Sequence, residues 1–139
     1  NVALNKTAYQ SSTYWFGVAN KGIDGNTDTN FMHGSCTQTR QTDSPYWYVD
    51  LGFKSHIQFV EITNRGDGPY SRLRDLEVTI ASERKEFNML CNTFKGPGTA
   101  SQIVVLNCPQ GTWGRYVKIQ IVEGIDNTLT FCEVKVFGV

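Results

Sequence analysis

Two arginines and a carboxylate stand close together in a segment that has no hydrophobic run. The segment reads Arg65-Gly66-Asp67-Gly68-Pro69-Tyr70-Ser71-Arg72. A guanidinium group carries several fixed N–H donors that can fork onto neighbouring hydroxyls, and a carboxylate between two arginines can hold their rotamers. Such a cluster suits recognition of a neutral polyol. The residues alone are equally compatible with a solvated loop that carries weak surface ion pairs.

The composition indicates a globular chain without a strong electric field. The sequence has 139 residues, of which 40% are hydrophobic, and its 13 basic residues balance its 13 acidic ones. A nucleic-acid-binding protein would show a basic surplus or stripe, so that class is disfavoured. No nucleophile elbow, metalloprotease motif or phosphate loop is present, and we therefore expect no catalysis.

The chain reads as one domain, residues 1–139, without repeats or linkers. Short β-branched and aromatic runs, separated by Gly, Pro, Asn and Asp, predict an all-β antiparallel sandwich of the jelly-roll kind. Two stretches lack this pattern, 10–45 and 64–75, and we expect them to be ordered loops that carry the function. The clearest predicted strands are Tyr46–Leu51, Ile57–Asn64, Leu76–Ala81, Ile103–Asn107, Tyr116–Val122 and Thr130–Phe137.

Four cysteines, at positions 36, 91, 108 and 132, indicate disulfides and an oxidising, extracellular compartment. Their spacing contains no Cys-x-x-Cys pair, which disfavours a zinc site. Spacing alone leaves three pairings open. The sequon Asn5-Lys6-Thr7 agrees with secretion.

Five short motifs are distributed along the chain from its first residues to its last strand. They are Asn1-Val2-Ala3-Leu4, Gln10-Ser11-Ser12, Ile23-Asp24-Gly25-Asn26, Trp47-Tyr48-Val49-Asp50-Leu51-Gly52 and Cys132-Glu133-Val134. Together these motifs resemble the F-type lectins, the fucose-binding fucolectin family. The resemblance spans essentially the whole chain, and it implies a discoidin-like β-sandwich that binds fucose-containing glycans.

The family's sugar motif matches at all but one position. Arg65-x-Asp67, followed after four residues by Arg72, agrees with it, but Gln38 stands where the family has histidine. The resemblance implies that Arg65 and Arg72 donate to sugar hydroxyls and that Asp67 orients them. Glutamine can both donate and accept, so we expect Gln38 to take over the histidine's contact with altered specificity. A deoxysugar also needs apolar surface. The candidates are Phe31, Met32, Tyr14 and Tyr70, whereas Trp47 and Trp113 are expected in the core.

The resemblance also implies a structural calcium ion and two disulfides. Calcium prefers six to eight oxygen ligands. The matching positions are the backbone of Lys21, Asn26 and Cys132 with the side chains of Asp24, Ser35 and Glu133. Without the resemblance, Asp24-Gly25-Asn26 would be interpreted as a turn. The implied disulfides join Cys36 to Cys132 and Cys91 to Cys108.

Two other binding functions remain open at the level of sequence. Arg65-Gly66-Asp67 is an integrin-recognition tripeptide, which requires a protruding loop. A discoidin-like adhesion domain could instead bind a protein or membrane lipid through exposed aromatics such as Trp15 and Phe16. For the lectin, the expected partners are fucosylated or related glycans on cell surfaces or glycoproteins. Homo-oligomers or tandem modules would then supply avidity.

Overall fold

A computed structural model describes residues 1–83 and 85–139, and within these ranges nine β-strands and three 3-10 helices make up the regular structure. No helix in the described ranges is long and apolar enough to cross a membrane. The short 3-10 helices are Ala19–Gly22, Phe31–His33 and Tyr70–Arg72. The strands are β1 (Thr7–Gln10), β2 (Thr37–Gln38), β3 (Tyr46–Thr63), β4 (Leu76–Ala81), β5 (Met89–Phe94), β6 (Ile103–Asn107), β7 (Trp113–Ile121), β8 (Thr130–Phe131) and β9 (Glu133–Gly138).

Strand β3 is shared by both layers of the sandwich. Its first half pairs with β1 and β7, in the order β1-β3-β7-β4-β5, and its second half pairs with β6 and β9. The register with β7 shifts between Asp50 and Ser55, where β3 passes from one layer to the other. All pairings are antiparallel, so the predicted all-β antiparallel sandwich is confirmed.

The core lies between the two layers and follows the two-residue alternation of the strands. On β3, Trp47, Val49 and Leu51 are fully buried on one side, as antiparallel strands with one solvated face require. The prediction that Trp47 is a core residue is confirmed. The same prediction for Trp113 is wrong, because its indole is 46% exposed and stacks on His56 with ring centroids 5.1 Å apart.

The predicted strands are present but differ in extent, and the strand predicted as Tyr116–Val122 is Trp113–Ile121 in the structure. The strands predicted at Tyr46–Leu51 and Ile57–Asn64 form one continuous strand, β3. The chain bends between them, where Gly52 adopts a positive φ of 85°, and strand pairing resumes beyond the bend. The strand predicted at Thr130–Phe137 is interrupted at Cys132 and forms two strands, β8 and β9. Three strands were not predicted: β1, β2 and β5. Their sequences contain few β-branched residues, and pairing with neighbouring strands makes them extended.

Both disulfide pairings implied by the resemblance are confirmed. Cys36 pairs with Cys132, and Cys91 pairs with Cys108. The first bond closes a span of 96 residues and joins the start of β2 to the junction of β8 and β9. In the chain-entropy model, closing a loop of that length stabilises the fold by about 4–5 kcal/mol. It also fixes the 10–45 loop region against the last strands.

Candidate functional site

A ladder of side-chain turns shapes the loop that precedes the second 3-10 helix. Asp24, Asn26, Asp28 and Asn30 each accept a hydrogen bond from the backbone N–H two residues further on, at 2.9 to 3.1 Å. Short Asp and Asn side chains favour such turns because they reach their own backbone. The last of these side chains, that of Asn30, accepts from Met32 N and so caps the start of the 3-10 helix that carries Phe31 and Met32.

Arg65 is a buried arginine whose guanidinium is held on three sides. Its Nε and Nη2 donate to the two carboxylate oxygens of Asp67 at 3.1 and 2.8 Å, and its Nη1 donates to Gln38 Oε1 at 2.8 Å. The guanidinium carbon lies 4.6 Å from the centroid of the Phe31 ring. Phe31 N also donates to Asp67 Oδ1, so the carboxylate joins two loops. The hydrogen bonds from Arg65 hold the pKa of Asp67 below its ordinary value.

Gln38 is oriented by this contact. Arginine can only donate, so the amide atom that faces Arg65 Nη1 must be the carbonyl oxygen. The Nε2 group of Gln38 is then left as a donor, and it has no hydrogen-bond partner among the residues described. Gln38 thereby accepts from Arg65 with one atom and offers two N–H groups with the other. A neutral histidine can likewise accept with one ring nitrogen and donate with the other.

Arg72 supplies a second set of donors. It lies at the end of the 3-10 helix Tyr70–Arg72, and no carboxylate pairs with it within residues 1–83 and 85–139. Partial burial, followed by the charge of Arg65, lowers the pKa of Arg72 from its ordinary value, but an arginine remains charged at neutral pH. Its N–H groups are available to a ligand.

These side chains open into one cleft of about 400 Å³. Guanidinium and amide donors stand beside aromatic and aliphatic surface, which is the composition expected of a site for a small polar ligand with an apolar face. The lining residues are Tyr14, Trp15, Phe31, Met32, Gln38, Thr39, Gln41, Arg65, Pro69, Arg72 and Thr128.

The structure brings together most of the predicted sugar-binding residues. Phe31, Met32, Gln38, Arg65 and Arg72 line the cleft, and Asp67 supports Arg65 from behind. Tyr70 does not line it, and the backbone carbonyl of this residue accepts from the buried Asn64. Thr39, Gln41 and Thr128 were not predicted, because they are ordinary polar loop residues that only the fold brings to the cleft.

The integrin interpretation of Arg65-Gly66-Asp67 does not fit the structure. Arg65 is 5% exposed, and its side chain is bonded to that of Asp67. Gly66 is enclosed, since a Cβ atom there would lie 2.3 Å from Ser101 Oγ and 2.6 Å from Thr29 Oγ1. The tripeptide is therefore packed into the domain rather than protruding from it.

A second polar group lies where the Asp24 loop meets β9. Glu133 is fully buried, one of its oxygens accepts from Gly25 N at 3.0 Å, and the other has no partner among the described residues. Burial raises the pKa of Glu133 to about 7, and the nearby Asp24 carboxylate adds to the rise. In residues 1–83 and 85–139, no three or more His, Cys, Asp or Glu side chains gather into a metal cluster.

The other predicted calcium ligands lie on the same loop and strand junction. Ser35 Oγ donates to the backbone carbonyl of Asp28 at 2.5 Å, and the Lys21 side chain donates to the carbonyl of Gly34 at 2.6 Å. A buried carboxylate oxygen without a partner, beside a second carboxylate, fits a hard cation.

Comparisons with known proteins agree with this geometry. A family model described as "NedA-like, galactose-binding domain" matches residues 21–119. Fucolectin-6 of Anguilla japonica is 37% identical over 141 residues, which cover 98% of this chain and 74% of that protein. The chain belongs to the fucolectin family.

Solved structures support this membership. The lectin domain of lectinolysin complexed with Lewis B antigen is 34% identical, with a TM-score of 0.86 over 99% of this chain and 95% of that chain. A fucolectin from Morone saxatilis serum is also 34% identical, with a TM-score of 0.92. The match spans 99% of this chain and 48% of the Morone chain.

The Arg65–Asp67 pair should stabilise this fucolectin domain as well as shape its cleft. Removing one partner of a buried ion pair leaves an uncompensated charge and costs about 3 kcal/mol. We therefore expect Asp67→Asn to lower the melting temperature by roughly 10 °C in differential scanning calorimetry. The control is Asp28→Asn, which keeps its side-chain turn and loses only an exposed contact with His33. Equal melting temperatures for both variants would show that the pair does not stabilise the fold.

Proposed function

We propose that residues 1–139 form one non-catalytic lectin domain that binds fucose-containing glycans in the cleft of Arg65 and Arg72. The observation that carries this proposal is the buried Arg65 guanidinium, fixed by Asp67, Gln38 and Phe31 at the base of a cleft with apolar walls. Fucolectin relatives at 37% identity and the lectin domain complexed with Lewis B antigen support fucose as the recognised sugar.

The donors of the cleft suit sugar hydroxyls. Arg65 has five N–H groups, of which Asp67 and Gln38 use three, so two remain for a ligand. Arg72 and Gln38 Nε2 add donors that need not break an internal bond. Because these groups are already held by the protein, binding loses little side-chain entropy. Phe31 and Met32 offer apolar surface to the methyl group of a deoxysugar.

The oxygen atoms near Glu133 are ligands that suit a structural calcium ion. The ion would neutralise the carboxylate charge and make the loop rigid, and it would take no part in chemistry. The proposed ligands are the carboxylates of Asp24 and Glu133, the hydroxyl of Ser35 and the carbonyls of Lys21, Asn26 and Cys132. Asp24 starts the turn ladder that ends at Phe31, and Glu133 follows the Cys132 disulfide. Ion binding would therefore hold the loop that supports Arg65.

The setting of the domain is proposed to be extracellular. Two disulfides require oxidising conditions, and a related lectin comes from serum. The partners would be fucosylated glycans on cell surfaces or glycoproteins, so that binding mediates cell adhesion. A single sugar site binds weakly because a polar ligand displaces well-bonded water. Homo-oligomers or tandem modules would raise the avidity.

Loss of Arg72 tests the site directly. Arg72→Ala removes donors without breaking an ion pair of the described residues, so the fold should persist. A hydrogen bond to a charged group contributes about 1.5–3 kcal/mol, which predicts a roughly ten- to hundredfold weaker fucose affinity by titration calorimetry. The control is Arg115→Ala, which breaks a two-point pair with Asp50 outside the cleft. The same affinity in the Arg72 variant as in the parent protein would place the sugar elsewhere.

Substitutions of Gln38 test the proposed orientation of its side-chain amide. Gln38→Glu keeps an acceptor for Arg65 but replaces the Nε2 donor by an oxygen, so fucose affinity should fall about tenfold with no loss of melting temperature. Gln38→His restores a donor on the sugar side and should bind fucose more tightly than the parent protein. If neither substitution changes the affinity measured by calorimetry, residue 38 does not face the sugar.

The raised pKa of Glu133 predicts a pH-dependent effect of calcium. The pKa of Glu133 lies near 7 in the folded state and near 4.5 in the unfolded state, so the folded state loses stability when this carboxyl ionises. With a chelator present to remove calcium, the melting temperature should therefore fall as the pH rises from about 4.5 to about 7. Calcium at a hundred times its Kd adds about 2.7 kcal/mol to the stability. Because protons compete for the carboxylate, this gain should be larger at pH 8 than at pH 5. Glu133→Gln should abolish the dependence, and identical curves with calcium and with chelator would contradict the site.

A further inference from the structure

The sequon Asn5-Lys6-Thr7 lies in a surface turn that leads into β1, and all three of its residues are exposed. Asn5 N donates to Ile23 O at 2.8 Å, and Lys6 N donates to Ala3 O at 3.1 Å. Asn5 has a φ of 57°, a left-handed conformation that asparagine adopts more readily than most residues. The backbone of the sequon is therefore fixed to the domain while its side chains stay accessible.

The sequence offers a single acceptor of this kind. Attachment of an N-linked glycan requires a serine or threonine two residues after the asparagine, with a residue other than proline between them. Of the 10 asparagines in the chain, only Asn5 meets this condition. Thr7, which supplies the hydroxyl, begins β1 at the edge of the first sheet. Nothing bulky therefore needs to move for a glycan to extend from this turn.

The surface around the sequon is unusually apolar for an exposed turn. Leu4, next to Asn5, is 44% exposed, and Phe53 is 50% exposed. Lys6 Nζ lies 5.2 Å from the centroid of the Phe53 ring, so this ring stands beside the sequon. An N-linked glycan is bulky and solubilising, and its sugar rings have C–H faces that can cover such side chains.

The sequon is separated from the sugar cleft by the length of β1. Gln10, at the far end of this strand, donates through Nε2 to Gly17 O, which also accepts from Gln38 N, both at 2.9 Å. Thr7 is three residues from Gln10, a distance of about 10 Å in an extended strand, and Asn5 lies beyond it. A glycan on Asn5 would therefore start at a distance from the donors that line the cleft.

We propose that Asn5 is the attachment site of an N-linked glycan, so that this lectin domain is itself a glycoprotein. The inference goes beyond the proposed function and depends on the extracellular route of the chain rather than on fucose binding. In the transfer, Asn5 Nδ2 gives up a proton to the base of the transferring enzyme and forms a bond to C1 of the first sugar of a lipid-linked oligosaccharide. The bond from C1 to the pyrophosphate breaks, and the lipid pyrophosphate leaves.

The test measures the intact mass of the protein secreted from cultured eukaryotic cells, before and after treatment with peptide N-glycosidase. Asn5→Gln removes the acceptor nitrogen, and Thr7→Ser keeps a hydroxyl at the required position. Asn88→Gln is the matched control, because Asn88 is also an exposed asparagine but lies outside any sequon. Titration calorimetry with fucose is carried out on the same samples in calcium.

We expect the parent protein to be heavier than its sequence by the mass of one glycan. The glycosidase should remove this excess and convert the side-chain amide at position 5 to a carboxyl, which peptide mapping detects. Asn5→Gln should have the mass of its sequence, whereas Thr7→Ser and Asn88→Gln should keep the excess. Fucose affinity should stay within about twofold of the parent protein in all of these samples, because the sequon lies away from the cleft.

Other outcomes overturn the proposal. A secreted parent protein with the mass of its sequence, or an excess that remains in Asn5→Gln, would show that Asn5 carries no glycan. A clear rise in fucose affinity after glycosidase treatment would show that the glycan reaches the cleft. If Asn5→Gln is not secreted, Thr7→Ala gives the same comparison with the asparagine in place, and peptide mapping of the parent protein decides independently. If no sample binds fucose, the proposed function fails, while the masses still decide the glycan.

Discussion

The geometry of the cleft depends on one buried guanidinium. Arg65 is buried two residues beyond the end of β3, and such a charge is tolerated only where its donors are satisfied. Asp67 provides the opposite charge, Gln38 a neutral acceptor and Phe31 a ring face. Asp67 lies in the same loop as Arg65, whereas Phe31 and Gln38 both come from the 10–45 segment. The arginine therefore joins the 64–75 loop to the 10–45 segment, which includes β2. The remaining N–H groups of Arg65 then have a fixed direction, which a small polar ligand requires.

The structure around this arginine explains why long loops can hold a site. Within 10–45, the Asp and Asn ladder replaces the hydrogen bonds of regular structure, and the Cys36–Cys132 disulfide fixes the loop to the last strands. In 64–75, the buried Asn64 donates to the carbonyls of Tyr70 and Thr99. Both loops are therefore ordered by polar bonds, because they offer too few apolar residues to form a core of their own.

The sequence predicts the sandwich and the arginine cluster, but only part of their setting. Burial alternates along β6, most of β7 and the first half of β3, where one face of the strand meets the core. In contrast, β1, β2 and β5 are made extended by their partners. The exposed Trp113 shows that residue type alone does not predict burial, since an aromatic side chain can lie on either face of a strand. Thr39, Gln41 and Thr128 show another limit, because their place in the cleft results from the folded path of the loops. Gln38 was identified only through family register, and its amide orientation required the position of Arg65.

The central claim is that the cleft of Arg65 and Arg72 recognises fucose-containing glycans. The most direct measurement is binding of the calcium-loaded protein to an array of defined glycans. We predict signals confined to fucosylated structures. Absence of binding to every fucosylated glycan on the array, or equal binding to glycans with and without fucose, would contradict the account.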